Sequence, residues 1–205
     1  MSPGDALNLA AGGNPIVAAR AVSAGSAGHD AAASGWALDA HDPVVAAAAE
    51  LLSLARGQGT LLAVAESCTG GRVAAALTAI PGASDVFLGG VVAYANAVKE
   101  RALAVPAATL MAHGAVSAAT AMAMAQGVRI ALGADLTVAC TGIAGPTGGS
   151  AEKPVGTLWI AVADAEGAAA HRFDLVDRDR ATFQTDATAL ALRALRQRLL
   201  GLALP

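Results

Sequence analysis

Ser67 lies in the stretch Ala65-Glu66-Ser67-Cys68-Thr69-Gly70-Gly71, directly after the apolar run Leu61 to Ala65 and directly before the Ala-rich segment Arg72 to Ala79. A strand leaves a core there, the small residues turn the backbone tightly, and a helix begins, so its first free amides and positive dipole end favour an anionic group. A nucleophile or a phosphate is well placed at such a bend.

A serine hydroxyl attacks only when a base takes its proton. The four histidines are poor partners: His29 falls in an Ala/Gly/Ser-rich leader, His41 precedes the first helix, His113 sits between two helices and His171 near the edge of a late strand. Lysine is the stronger candidate, because the chain holds only Lys99 and Lys153. Lys99 follows Tyr94, Asn96 and a strand that ends beside the Ser67 turn if the two strands pair. To act as a base it must fall from about 10.4 toward about 7 to 8 through burial or a cationic neighbour. Position alone leaves a second reading open, a solvated first-turn lysine paired with Glu100. Cys68 is a more reactive nucleophile in principle, or a small side chain packed under the turn.

A second glycine-rich stretch, Thr141 to Gly149, also follows an apolar run, and its amides offer an oxyanion hole or a phosphate cradle. Two such loops at strand ends point to a ligand crevice, where open α/β sheets bind their ligands. Glu152 and Lys153 orient one another or a ligand, or form a solvated pair. Arg178 and Arg180 precede the last helix, where a guanidinium can grip a phosphate with two hydrogen bonds, or lie idle at the surface.

The elements that must position these groups are legible from pattern. Residues 1–41 are a patchwork of Ala, Gly, Ser and Asp without a period, read as a flexible low-complexity extension. Asp42-Pro43 caps a helix that ends near Gly57. Strands are expected at about 60–65, 89–94, 136–140, 156–164 and 168–174, and helices at about 68–79, 96–103, 106–112, 117–132 and 179–200. Val64, Val92, Val138 and Ile160 read as core, and the 89–94 run as a buried strand. Alternation of strands and helices predicts one layered α/β domain over 42–205, with a mixed, mostly parallel sheet flanked by helices.

Composition narrows the function classes. The 205 residues suffice for one such domain. They are 55% hydrophobic but 3% aromatic, so the core is built from Ala, Val and Leu. A net charge of -3 and no basic stripe with interleaved aromatics leave extended nucleic-acid binding unsupported. Cys68 and Cys140 form neither a metal-ligand spacing nor a disulfide framework, which fits a reduced, cytoplasmic setting without zinc. Residues 104–128 carry no Asp, Glu, Lys or Arg, but Pro106, His113, Gly114, Ser117 and Gln126 argue against a membrane span.

Five motifs in order, AESCTGG at 65–71, GGVVAYANAVK at 89–99, HGAVS at 113–117, TGIAGPTGG at 141–149 and EKPVGT at 152–157, resemble the CinA C-terminal domain family, which includes stand-alone nicotinamide mononucleotide deamidases. The resemblance covers about residues 44–200. It implies hydrolysis of the carboxamide of nicotinamide mononucleotide to nicotinic acid mononucleotide and ammonia, with no metal or cofactor. It also implies that Ser67 and Lys99 are the nucleophile and base, with Tyr94 close by. Thr69, Gly70, Gly71, Asn96, Thr141, Gly142, Gly145 and Arg178 are then the expected substrate-binding residues. A small-molecule nucleotide is the expected partner, in a homo-oligomer.

Three positions depart from the family's pattern: Ala95 replaces a serine, Val176 a glycine before Asp177-Arg178, and Thr182 an arginine in the final helix's first turn. Those losses leave a second function class open, a pyridine-nucleotide or phosphate-binding module without catalysis.

Overall fold

A computed structural model describes residues 42–203, and the expected extension over 1–41 lies outside the described residues. The first helix, α1 (Pro43–Gln58), begins where Asp42 Oδ1 accepts the amide of Val44 at 2.8 Å, with proline at the first helical position. Gly59 closes it at φ 64. The chain continues through β1 (Leu62–Glu66), α2 (Arg72–Thr78), a single 3-10 turn at Ala83–Asp85 and β2 (Phe87–Val92). Three helices follow, α3 (Asn96–Leu103), α4 (Ala107–His113) and α5 (Ala118–Leu132). β3 (Leu136–Gly142), β4 (Thr157–Asp164), β5 (Gly167–Asp174) and α6 (Arg180–Leu199) complete the domain.

The five strands form one sheet in the order β2-β1-β3-β4-β5. β1 runs parallel to both β2 and β3, whereas β3–β4 and β4–β5 are antiparallel. The sheet is therefore mixed, as expected, but divided evenly rather than mostly parallel. The reason lies in the connections: β4 and β5 are joined by Ala165-Glu166 alone, and a two-residue hairpin permits only antiparallel strands. No helix intervenes between β3 and β4 to carry the chain back for a parallel crossing.

β2 is an edge strand, not a buried one. Leu88 and Val92 are 43% and 48% exposed, so the expectation of Val92 as core fails. An apolar Gly-Val run does not reveal whether a strand has a neighbour on one side or two.

Side-chain alternation along the strands separates two unlike layers. One face presents Leu62, Val64, Leu136, Val138, Leu158, Ile160 and Val162 to α1, α2 and α6. The other presents Ala63, Ala65, Ala139, Ala161 and Ala163 to α3, α4 and α5. Small side chains on that second face let α5 lie close to the sheet. α5 also approaches α3 closely: a Cβ at Gly127 would fall 1.9 Å from the carbonyl oxygen of Leu103. Truncating Leu51, Leu77 or Met124, all with 0% exposure, to Ala should cost ~2–5 kcal/mol each.

Candidate active site

β1 lies between β2 and β3, and the chain leaves it toward one neighbour before returning to build the other. Strand order reverses there, so the carboxyl ends of β1, β2 and β3 open a crevice. Ser67 is the first residue beyond β1, with its amide donating to the carbonyl of Cys140 at 3.0 Å. A cavity of about 190 Å³ follows, lined by Ser67, Cys68, Tyr94, Lys99, Ala115, Val116, Thr141, Gly142, Ala144 and Arg180.

Lys99 sits in the first turns of α3 and is 1% exposed. Its Nζ lies 3.1 Å from Ser67 Oγ and donates to the carbonyl oxygens of Ala93 at 2.7 Å and Tyr94 at 3.0 Å. Burial lowers its pKa below the ordinary 10.5, because a charged amine loses water that the fold does not fully replace. The geometry has a chemical consequence. A neutral amine has two N–H donors, and the two carbonyls take both, which leaves its lone pair for the hydroxyl proton of Ser67. A protonated amine uses its third N–H on Ser67 Oγ instead. The solvated-lysine alternative is thus overturned by the packing of α3.

Cys68 is 4% exposed, and burial pushes its thiol up to about 12. Cys140, also buried, is raised well above its ordinary value for the same reason. A thiol that stays protonated at neutral pH is a poor nucleophile. Both cysteines pack as small apolar side chains.

The bend itself is held by two residues outside the expected site set. Glu66, 1% exposed, turns its carboxylate under the start of α2, where Oε2 accepts the amides of Gly71 at 2.9 Å and Val73 at 3.1 Å and Oε1 that of Ala74 at 2.8 Å. The anion that the α2 terminus favours is therefore the chain's own side chain. Gln184, on α6, donates Nε2 to the Cys68 carbonyl at 2.9 Å, while its Oε1 accepts Nε and Nη2 of Arg72 at 3.3 and 3.1 Å. Together they tie the nucleophile turn to two helices.

The expected site residues divide accordingly. Ser67, Lys99, Tyr94, Thr141 and Gly142 line the cavity. Thr141 contributes its surface rather than its hydroxyl, which donates to the Ala115 carbonyl at 2.8 Å. Gly145 stands at the rim, its carbonyl accepting Arg180 Nη1 at 3.1 Å. Thr69 points away from the cavity, with its hydroxyl 3.6 Å from Cys140 Sγ. Gly70 and Asn96 are exposed outside it, and the Gly71 amide is engaged by Glu66. Arg178 is drawn off by an ion pair with Asp186 at 2.9 Å. It is Arg180 whose guanidinium reaches the cavity, with Nη2 donating to Tyr94 Oη at 3.3 Å.

Asp179 is the signal that distinguishes the two arginines. It caps α6 by accepting the Thr182 amide at 2.7 Å, which makes Arg180 the first helical residue and leaves Arg178 outside. His113 and Lys153 meet outside the cavity lining, where Lys153 Nζ donates to the His113 carbonyl at 2.6 Å. Ser117 caps α5 by accepting the Thr120 amide. Among the described residues, no group of three or more His, Cys, Asp or Glu is gathered to hold a metal ion, and no helix is long and apolar enough to cross a membrane.

Known proteins share this fold. The chain is 51% identical over 156 residues to a CinA-like protein of Parasynechococcus marenigrum (strain WH8102), a match covering 75% of the chain and 37% of that relative. It is 55% identical over 145 residues to a CinA-like protein of Anaeromyxobacter dehalogenans (strain 2CP-1 / ATCC BAA-258), covering 69% and 35%. It thus spans little more than a third of the curated relatives' length. Among solved structures, the competence/damage inducible protein CihA of Agrobacterium tumefaciens superposes with a TM-score of 0.74 at 39% identity, over 77% of this chain and 95% of that one. A competence-damaged protein (CinA) superfamily protein of Escherichia coli gives 0.73 at 30%, over 79% and 94%. The model of the CinA C-terminal domain matches residues 45–199, and the chain belongs to that family.

Proposed function

We propose that the chain hydrolyses the carboxamide of nicotinamide mononucleotide to nicotinic acid mononucleotide and ammonia, in cytoplasmic pyridine-nucleotide salvage, with Ser67 and Lys99 carrying the reaction. The observation that supports this reading most is the buried amine 3.1 Å from the Ser67 hydroxyl, with two backbone carbonyls claiming its other donors. Neutral Lys99 takes the hydroxyl proton as Ser67 Oγ attacks the amide carbon. Among the described residues, the amide of Cys68, which lines the cavity beside Ser67, donates to no backbone acceptor, which leaves it for the developing oxyanion.

The tetrahedral carbon then expels its amino group, which receives the proton from Lys99 and departs as ammonia. Water attacks the resulting serine ester and gives a proton to Lys99 Nζ. The carbon–Oγ bond breaks, Ser67 recovers that proton, and the acid is released. Because the working form of Lys99 is neutral and burial lowers its pKa, kcat/KM should rise with pH through that lowered value, below 10.5.

Ammonia release from nicotinamide mononucleotide by the purified protein tests the proposal. Ser67→Ala and Lys99→Met should each lower the rate by roughly 10²–10⁴-fold. Full activity in either variant rejects the assignment. Saturable calorimetric binding by the wild type without ammonia supports the non-catalytic binding module instead.

A further inference from the structure

The cavity at Ser67 is small for the substrate it is proposed to serve. At about 190 Å³ it falls below the roughly 300–1,000 Å³ of pockets that enclose a whole ligand, with room for a carboxamide-bearing ring but not for ring, ribose and phosphate together. The rest of the substrate must pass the mouth.

Arg180 stands at that mouth. Its two terminal nitrogens bridge opposite rims, one on the Gly145 carbonyl and one on the Tyr94 hydroxyl. Both acceptors are neutral, and among the described residues Arg180 makes no ion pair. Of the other arginines near the α6 terminus, Arg178 is paired with Asp186, and Arg72 lies outside the cavity lining, turned to Gln184. Asp179, the nearest carboxylate in sequence, turns to the Thr182 amide as the helix cap. A guanidinium held only by uncharged oxygens gives them up readily for an anionic one, since the anion adds a direct charge–charge attraction and takes two parallel hydrogen bonds from the planar fork. Lys99 offers no competing anion site, because its donors are spent inside the cavity.

We infer that Arg180 sets the specificity of the site by taking the phosphate of a nucleotide whose amide-bearing ring fills the cavity, exchanging its contacts with Tyr94 Oη and the Gly145 carbonyl for phosphate oxygens. This rests on the hydrolytic reading for its choice of substrate. The anion-recognition step itself is independent of turnover.

Steady-state kinetics on nicotinamide mononucleotide and on its dephosphorylated nucleoside test it in the wild type, Arg180→Gln and Arg180→Lys. Arg180→Gln should lower kcat/KM for the nucleotide by on the order of tenfold to a hundredfold, carried by KM. The loss on the nucleoside should be at least about fivefold smaller than that on the nucleotide, and Arg180→Lys should recover part of the nucleotide loss as a point charge. Equal losses on both substrates, or no loss on the nucleotide, overturn the assignment. Calorimetric binding of the nucleotide to Ser67→Ala and to Ser67→Ala/Arg180→Gln gives the same test without catalysis. Tenfold or greater weakening in the double variant upholds the anion role even if the wild type releases no ammonia, and unchanged binding removes it.

Discussion

The turn after β1 and the loop after β3 are both glycine-rich, both follow an apolar strand and both border the same cavity, yet they are held in opposite ways. The first is filled from within: the Glu66 carboxylate binds three amides around the start of α2, so the helix terminus is closed to any external anion. The second leads into no helix. It closes on itself through the Gly156 amide to the Ile143 carbonyl and the Ile143 amide to the Thr157 carbonyl, and its glycines press against their surroundings. A Cβ at Gly145 would stand 2.6 Å from Val155 Cγ1, and one at Gly142 would stand 2.8 Å from the Thr157 carbonyl oxygen. Glycine in the first turn serves backbone conformation alone, whereas in the second it serves space as well. A strand exit rich in glycine is therefore no guarantee of an anion cradle.

The largest break in this contrast comes from Glu66→Ala, which strands three amides that water reaches poorly. It should lower unfolding stability by about 3 kcal/mol, read from the denaturant midpoint. Formate, which matches the vacated carboxylate, should recover part of that loss in the variant and none in the wild type. A midpoint that does not move would mean that the helix start is held by something else.

Gly145→Ala tests the crowded loop. The residue has φ 73 as well as the Val155 overlap, and the two together should cost about 2 kcal/mol. Adding Val155→Ala should relieve the overlap but not the backbone strain. Gly70→Ala, at φ 64 with nothing within 4 Å of its Cβ, should cost only about 1 kcal/mol. Equal costs at the two positions would erase the distinction between conformation and space.

The smallest effect is a gain. Ala95 is the N-cap of α3 and makes no side-chain cap, so Ala95→Ser should stabilise the domain by about 0.5–1 kcal/mol in thermal unfolding. The position where a serine is expected is thus an uncapped helix start four residues from Lys99. Loss of activity in Ala95→Ser would show that the added hydroxyl disturbs the amine.

What could be read from the chain follows how local its cause was. Helix ends at Asp42, Ser117 and Asp179 are written in capping residues, and the proximity of Ser67 to Lys99 follows once the strands at 62–66 and 87–92 pair in parallel. Long-range choices left no such trace. The sheet order that makes β2 an edge depends on every connection at once. Glu66 reads like any polar strand end until the turn folds it back beneath α2. Gln184 reaches Cys68 across 116 residues of sequence, with nothing in either segment to announce it. Arg178 and Arg180 differ by one helical boundary: the cap at Asp179 leaves the first outside the helix, paired with Asp186, and makes the second the first helical residue, at the cavity.

The missing side chain at Gly127 reaches further than its own helix. With the Leu103 carbonyl pressed into the space where a methyl group would stand, α3 is seated against α5 at its far end, several residues downstream of Lys99. A methyl there would act as a wedge under one end of a short lever whose other end carries the amine. Chemistry in this domain is thus vulnerable to a single added carbon at a position that touches neither the hydroxyl nor any ligand.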